Sequence, residues 1–309
     1  MAGGAQFFRV GDEAAAALAG HRRVVALEST IFSGLGLPSP ANRECFDRCA
    51  AAVRGGGAVP ALTAVVDGVA VVGVEADDLD RVLAGSHKVA GRDLARAVSG
   101  GLDVGVTTVG ASLTLAARAG IEVFATGGIG GVHRCAEVTG DVSHDLVALS
   151  RHPVVAVSSG AKAFLDLART LEYLETLGVP VAGWRTDRFP AFYVRDSGLE
   201  VPTVVYSGDE VAAMLRAAAA VGHPGGVLVA NPIPVAAELD PEPINRALNS
   251  ALAIVERQGL RGPEVTPVLL DAIAAATDGL SVEANLALAQ DNARVAAEIA
   301  GALATAAPA

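Results

Sequence analysis

Short runs of β-branched and small apolar residues recur along this chain between Ala- and Leu-rich stretches of helical character, and this alternation restricts the fold more than any other feature. The runs are VVALEST (24–30), ALTAVV (61–66), VAVVGV (69–74), IEVFAT (121–126), PVVAVSS (153–159), PVAGW (180–184) and GGVLVA (225–230). Most are apolar throughout instead of alternating, as strands covered on both faces by helices are. The pattern therefore predicts an α/β/α sandwich around a mixed, mostly parallel sheet. Asp67-Gly68, between two such runs, is a two-residue turn signal and predicts one antiparallel hairpin within the sheet. From Asp240 onward the spacing turns helical through INRALNSALAIVERQG, EVTPVLLDAIAAAT and SVEANLALAQDNARVAAEIAGALATA, which predicts a helical C-terminal layer. No Ser/Gly- or Pro-rich linker and no fixed repeat divides the 309 residues, so a single domain over 1–309 is expected.

Hydrophobic residues at 51% and charged residues at 18% exclude a disordered chain. Mean hydropathy is positive at +0.44, yet no uncharged apolar run approaches the roughly 18 residues a spanning helix needs, so no membrane association is expected. Aromatics are only 4% and 35 residues are Gly, so the core must be built from Ala, Val and Leu with close backbone approaches. A net charge of −11 argues against nucleic acid as a partner and requires any anionic substrate to meet a local positive site. The N-terminal residues lack a basic region followed by an apolar core, and Cys45, Cys49 and Cys135 cannot all pair internally, which together point to the cytoplasm. Cys45 and Cys49 lie one helical turn apart with no matching Cys or His pair elsewhere, a spacing that suits packing better than zinc.

In an open α/β sheet, ligands bind beyond the carboxyl ends of strands. Those positions here hold Glu28-Ser29-Thr30, Thr107-Thr108-Val109-Gly110, the loop TGGIGGVHR (126–134) and Ser158-Ser159-Gly160-Ala161-Lys162. The glycine loop permits close approach and left-handed backbone, and suits either a structural turn or a ligand loop. It matches neither a dinucleotide fingerprint nor a Walker A loop, but His133 and Arg134 adjoin it. Thr107 and Thr108 precede a helical segment whose free N–H groups could cradle phosphate or simply be capped. Lys88, in the turn GSHKVAGRD, could add positive charge or be a solvated loop lysine. Lys162 falls near the expected start of the helix AFLDLARTLEYLETLG, where the dipole and partial burial disfavour the ammonium form and favour covalent chemistry. The alternative is an exposed helix lysine paired with Asp166 four residues on. Asp141 and Asp145, with Ser143 and His144 between them, suit a hard divalent cation or polar substrate contacts, or else a solvated turn. Glu28 ends a buried strand, where burial would raise its pKa toward that of a general acid near neutrality.

Together, VALESTIF, GAVPALTAVVDG, TTVGASLTLAARAGIEVFATGGIGGVHR, TLEYLETLGVPVAGW, FPAFYVRDSG and GGVLVANPIP resemble the pseudouridine-5′-phosphate glycosidase family, which includes indigoidine-cluster members of the IndA type. The resemblance spans about residues 22–300. It implies reversible cleavage of the C–C glycosidic bond of pseudouridine 5′-phosphate to uracil and ribose 5-phosphate, with a divalent metal, typically Mn²⁺, in a homotrimer. A carbon leaving group offers no lone pair to protonate, so a two-carboxylate glycosidase mechanism does not suffice. The family opens the ribose ring and forms a lysine adduct at C1′. Carried over by motif, Glu28 would be the proton donor and Lys162 the nucleophile. Lys88, Thr108 and Val109 would hold the phosphate end, and His133 would lie in the pocket. Asp141 would hold the metal, Ser143, His144 and Asp145 would contact substrate or metal waters, and Asn285 would close the site from the C-terminal helices.

Three departures from the family pattern bear on the pocket. SGLGLPSP (33–40) replaces SHGMPYP, VAGRD follows Lys88 where VSRRD is common, and VSHD replaces ISAD. They bear on the pocket wall, phosphate grip and base choice. The competing readings are a C-glycosynthase that joins ribose 5-phosphate to another aromatic acceptor, and a phosphosugar-binding protein without turnover.

Overall fold

The computed structural model describes residues 7–258, 260 and 265–305. The N-terminal half comprises β1 (Phe8–Val10), α1 (Asp12–Ala19), β2 (Val24–Leu27), α2 (Ala41–Gly55), β3 (Val59–Val66), β4 (Val69–Val72), α3 (Ala76–Leu83), β5 (Lys88–Val89), α4 (Leu94–Ser99), β6 (Val104–Thr107), α5 (Val109–Ala119) and β7 (Val123–Ala125). There follow α6 (Ala136–Thr139), α7 (His144–Arg151), β8 (Val155–Ser158), α8 (Leu167–Thr176), β9 (Val181–Trp184), β10 (Thr203–Val205), α9 (Gly208–Ala220), β11 (Leu228–Ala230), α10 (Pro241–Gln258), α11 (Val265–Ala276) and α12 (Leu280–Thr305).

The eleven strands form one sheet in the order β1-β4-β3-β2-β7-β8-β11-β9-β10, with β6 pairing β3 and β5 pairing β6. Pairing is parallel except where β3 meets β4 and β6. The antiparallel hairpin is the one the Asp67-Gly68 pair predicts, and both residues take the positive φ that a primed turn requires, 49° and 73°. The uniformly apolar runs are buried along their length, as β2, β8 and β9 show. Four strands lie outside the apolar runs: β1, β5 and β10, which are only two or three residues long, and β6, whose four residues VGVT are broken by a glycine.

Helices cover both faces. In α2 the buried residues Asn42, Cys45, Cys49 and Val53 form one stripe at three- and four-residue spacing, so the two cysteines serve packing. That stripe meets α12, which also packs on α9 and over β2, β7 and β8, while α5, paired with α7, packs on β2, β3, β4, β6 and β7. Much of α12 is apolar around its whole circumference, with Ala284, Leu288, Ala293, Val295, Ala297 and Ile299 all buried, because it lies between the sheet and two other helices. The C-terminal helical layer is thus part of the main core. No described helix is long and apolar enough to cross a membrane.

Candidate active site

β2, β7 and β8 are parallel neighbours whose carboxyl ends meet at one crevice. The strand order reverses at β2/β7, since the chain runs outward from β2 through β3 and β4 and later resumes on the other side at β7. Such a switch point leaves room for a ligand. A cavity of about 400 Å³ lies there. Its polar lining includes Glu28 past β2, Thr126 past β7, Lys162 past β8, Lys88 on β5 with His87 before it, and Asn285 on α12. Leu35, Phe164, Phe192, Tyr193 and Ile273 form an apolar wall.

Glu28 is only 3% exposed, and burial lifts its pKa to about 7. The charge of Lys162 and a hydrogen bond donated by the Thr126 hydroxyl oppose that rise without cancelling it. Lys88 opens to solvent, yet surrounding protein depresses its pKa, and repulsion from Lys162 adds to the effect. Composition held a signal that motif reading passed over: the chain has only two lysines, and both line this cavity.

Lys162 does not sit at a helix start. Helix α8 begins at Leu167, with the Asp166 carboxylate capping it by accepting the Arg169 N–H at 3.0 Å, so the dipole reaches Asp166 and not Lys162. Asp166 also pairs with Arg169, so the expected Lys162–Asp166 pair is replaced. Lys162 instead lies on an extended loop that zips against the glycine loop. Ile129 N–H donates to Gly160 C=O and Lys162 N–H to Ile129 C=O, each at 3.1 Å. None of the loop glycines 127, 128, 130 and 131 takes a positive φ. They are needed for close approach: a Cβ at Gly128 would strike the Phe192 ring, and one at Gly130 the Ser143 hydroxyl.

Phe192 and Tyr193 belong to no site that residue-by-residue reading identified. Phe192 is left-handed at φ 64°, held by its N–H donating to Ser159 C=O at 3.1 Å. That turn brings two consecutive aromatic residues to one cavity wall, where an extended backbone would send them to opposite sides. Their rings meet edge to face at 4.7 Å.

Thr108, Val109, His133, Asp141, Ser143, His144 and Asp145 do not line the cavity but stand beside it, close enough for Asp141 and Asp145 to act electrostatically on Lys88. The suggested phosphate cradle at α5 is partly occupied by the protein itself. The Asp145 carboxylate is buried and accepts the Gly110 N–H at 2.7 Å and the Gly130 N–H at 2.8 Å, tying the helix to the glycine loop. Thr107 is consumed in a buried hydroxyl network with Ser29, Thr63 and Ser112, and Val109 is buried in the core. Thr108 is the half-buried N-cap position of α5, and Ser143 caps α7 by accepting the Asp145 N–H. His133 is half-buried against Phe164, and burial lowers its pKa against the opposing charge of Asp141, whose Oδ2 lies 3.9 Å from Nδ1. No group of three or more His, Cys, Asp or Glu side chains is placed to hold a metal among the described residues. With both Asp145 oxygens committed to backbone N–H groups, Asp141, whose Oδ2 faces His133 at 3.9 Å, is the less committed carboxylate of the pair. A hard cation would have to complete its shell with waters and ligand oxygens.

Two of the three departures from the family pattern are one packing event. A side chain at Gly91 would collide with the ring of His144, whose Nδ1 is buried and without a hydrogen-bond partner among the described residues. Gly91→Ser should therefore cost about 1–3 kcal/mol of stability, and the cost should largely vanish in a His144→Ala background. Denaturant unfolding of the double-mutant cycle measures the coupling; additivity would disprove it. The third departure reaches the cavity directly, since Leu35 and Gly36 line it.

A family model described as indigoidine synthase A like protein matches residues 13–302. A pseudouridine-5′-phosphate glycosidase of Chloroflexus aurantiacus is 48% identical over 298 residues, covering 94% of this chain and 97% of the relative. One from Methylobacterium nodulans is 50% identical over 282 residues, covering 91% and 83%. Among solved structures, the prealnumycin C-glycosynthase AlnA in complex with ribulose 5-phosphate superposes with a TM-score of 0.89 at 41% identity, covering 97% of each chain. An indigoidine synthase A-like protein from Thermotoga maritima gives 0.85 at 35% identity, covering 96% of this chain and 97% of that one.

Proposed function

This chain belongs to the indigoidine synthase A like family, and from that premise we propose that it is a pseudouridine-5′-phosphate glycosidase, cleaving its substrate reversibly to uracil and ribose 5-phosphate. The observation that carries this reading is the convergence of one buried carboxyl, with a pKa raised to about 7, and both lysines of the chain on a single cavity. A carboxyl with that pKa is still substantially protonated near neutrality and can give its proton to the ribose ring oxygen. The C1′–O4′ bond then breaks, and the Lys162 amine bonds to C1′ with loss of a proton. The electron pair of the C1′–C5 bond leaves with the base, which takes up a proton at C5, and the nitrogen lone pair forms the C1′=N imine. Water hydrolyses that imine, restoring the amine and releasing ribose 5-phosphate.

Lys88 supplies the local positive charge that a phosphosugar needs in a chain of net charge −11. Asp141 is the residue that would hold a Mn²⁺ ion, which would supply charge neutralisation beside the phosphosugar. His133, Ser143, His144 and Thr108, which stand beside the cavity, would act on the substrate through its waters, and Asn285 would face the base. The same reading carries a cytoplasmic homotrimer, which light scattering coupled to size exclusion tests.

The deciding experiment is chromatographic detection of uracil from pseudouridine 5′-phosphate with purified protein and Mn²⁺, beside a chelator-treated control. Uracil release that the chelator stops is the expected result. No release, despite a reducible ribose 5-phosphate adduct at Lys162, would favour the C-glycosynthase alternative. The similarity to AlnA and the altered wall at Leu35 and Gly36 make that reading specific.

A further inference from the structure

Beneath the cavity floor, a single carboxamide joins three strand ends. Asn292 on α12 is 0% exposed and lies two helical turns beyond Asn285. Its Nδ2 donates to Thr126 C=O at 2.8 Å and Gly127 C=O at 3.3 Å, and lies 3.2 Å from Ser159 Oγ. Its Oδ1 accepts from Asn231 Nδ2 at 2.9 Å. Thr126 follows β7, Ser159 follows β8 and Asn231 follows β11, three adjacent strands in the sheet. Asn231 is itself anchored to α12 by donating to Asp291 Oδ2 at 2.9 Å.

Two of these contacts lead on to cavity groups. The Thr126 hydroxyl donates to Glu28, so fixing its backbone fixes the partner of that carboxyl. Ser159 lies three residues before Lys162, and its carbonyl accepts the Phe192 N–H that holds the left-handed turn of the aromatic wall. Loop tips at strand ends are ordinarily held by solvent-exposed bonds and drift relative to one another. Here they share one buried, hydrogen-bonded anchor on α12, the helix that packs between the sheet and both α2 and α9.

We propose that Asn292 is a positioning residue that holds the Glu28–Thr126 pair, the Lys162 loop and the Phe192 turn in one frame, so that proton donation and amine attack address the same sugar carbon. The inference rests on the glycosidase reading for what is being positioned, but the frame itself is a property of the unliganded protein. Asn292→Leu keeps the branching at Cγ, with a somewhat larger side chain, and removes every side-chain hydrogen bond. Asn292→Asp keeps the shape and, when ionised, turns the donor facing two carbonyls into an acceptor.

The test combines steady-state kinetics on pseudouridine 5′-phosphate with a difference-infrared titration of the Glu28 carboxyl, assigned by loss of its band in Glu28→Gln. Misplacement of reacting groups by about an ångström costs on the order of 10²-fold, so Asn292→Leu should lose about that in kcat with KM changed by less than roughly threefold. The Glu28 titration should move upward in the same variant, because the Thr126 bond and the Lys162 charge both hold it down. Of the other groups that act on Glu28, Lys88 sits on β5, which Asn292 does not touch, whereas Asp145 is tied through Gly130 to the same loop that Asn292 anchors. If Asn292→Leu does not fold, Asn292→Asp carries the test, with about a tenfold loss in kcat expected and the same direction of titration. A wild-type kcat and an unmoved Glu28 band in a folded variant would overturn the proposal. If wild-type protein releases no uracil, the glycosidase reading fails, whereas the infrared titration still decides whether Asn292 frames Glu28.

Discussion

Lys162→Ala protein incubated with ribose 5-phosphate and borohydride should retain no covalently bound sugar, while wild-type protein should gain one reduced adduct at Lys162. Turnover should fall by on the order of 10⁴-fold or more, as expected when the nucleophile of a covalent mechanism is removed. Peptide mapping is simple, because Lys88 is the only other side-chain amine in the chain. Lys162→Arg should fail equally, since it keeps the positive charge but has no amine of accessible pKa to bond to C1′. Lys88→Ala should instead raise KM and still form the adduct when sugar is in excess. Adduct on Lys88 in the wild type, or undiminished turnover in Lys162→Ala, would reverse the assignment of the two amines.

Glu28→Gln should abolish turnover by about 10²- to 10⁴-fold, the range a positioned general acid supplies, and should at the same time stabilise the protein at alkaline pH. The raised pKa sets the sign. Folded Glu28 titrates at about 7 against an ordinary value of 4.5, so between those values the folded state binds the extra proton. Its favourable contribution is complete below pH 4.5 and is lost as pH rises through 7. Keeping a carboxylate in that buried position above pH 7 costs about 3 kcal/mol, from the separation of the two values. Glutamine mimics the protonated acid and carries no such cost. Thermal unfolding of Glu28→Gln should therefore exceed wild type at pH 8 and converge with it near pH 5. In the wild type, the alkaline limb of kcat/KM should fall near pH 7. Equal melting at both pH values would show that Glu28 is not held protonated by burial.

The strand-end positions of Glu28, Thr126 and Lys162 were legible because each follows a run apolar enough to be a buried parallel strand. The hairpin at Asp67-Gly68 was legible because the turn needs residues that tolerate positive φ. Local reading failed where local chemistry had two uses. Asp145 reads as a ligand to substrate or metal waters, but both oxygens are taken by backbone N–H groups of elements 15 and 35 residues away. Lys162 reads as a helix-start lysine because AFLDLARTLEYL is helical in pattern throughout, yet the Asp166 cap moves the helix start to Leu167. Phe192, Tyr193 and Asn292 carried no periodic or charge signal: an aromatic pair and a mid-helix asparagine are usual residues in core and surface alike.

By itself the sequence determined the class of fold, the helical end, and the two amines and the strand-end carboxyl available for chemistry. These follow from periodicities of two and 3.6 residues and from side-chain identity, which are local properties. Only the tertiary structure decided which of those groups share a cavity, which polar groups the protein keeps for itself, and which helix holds the loops together. Hydrogen bonds such as that from Asn292 to Thr126 join residues 166 apart, and burial of the kind that raises Glu28 is a property of everything packed around it. Neither leaves a mark on the residues next to it in the chain.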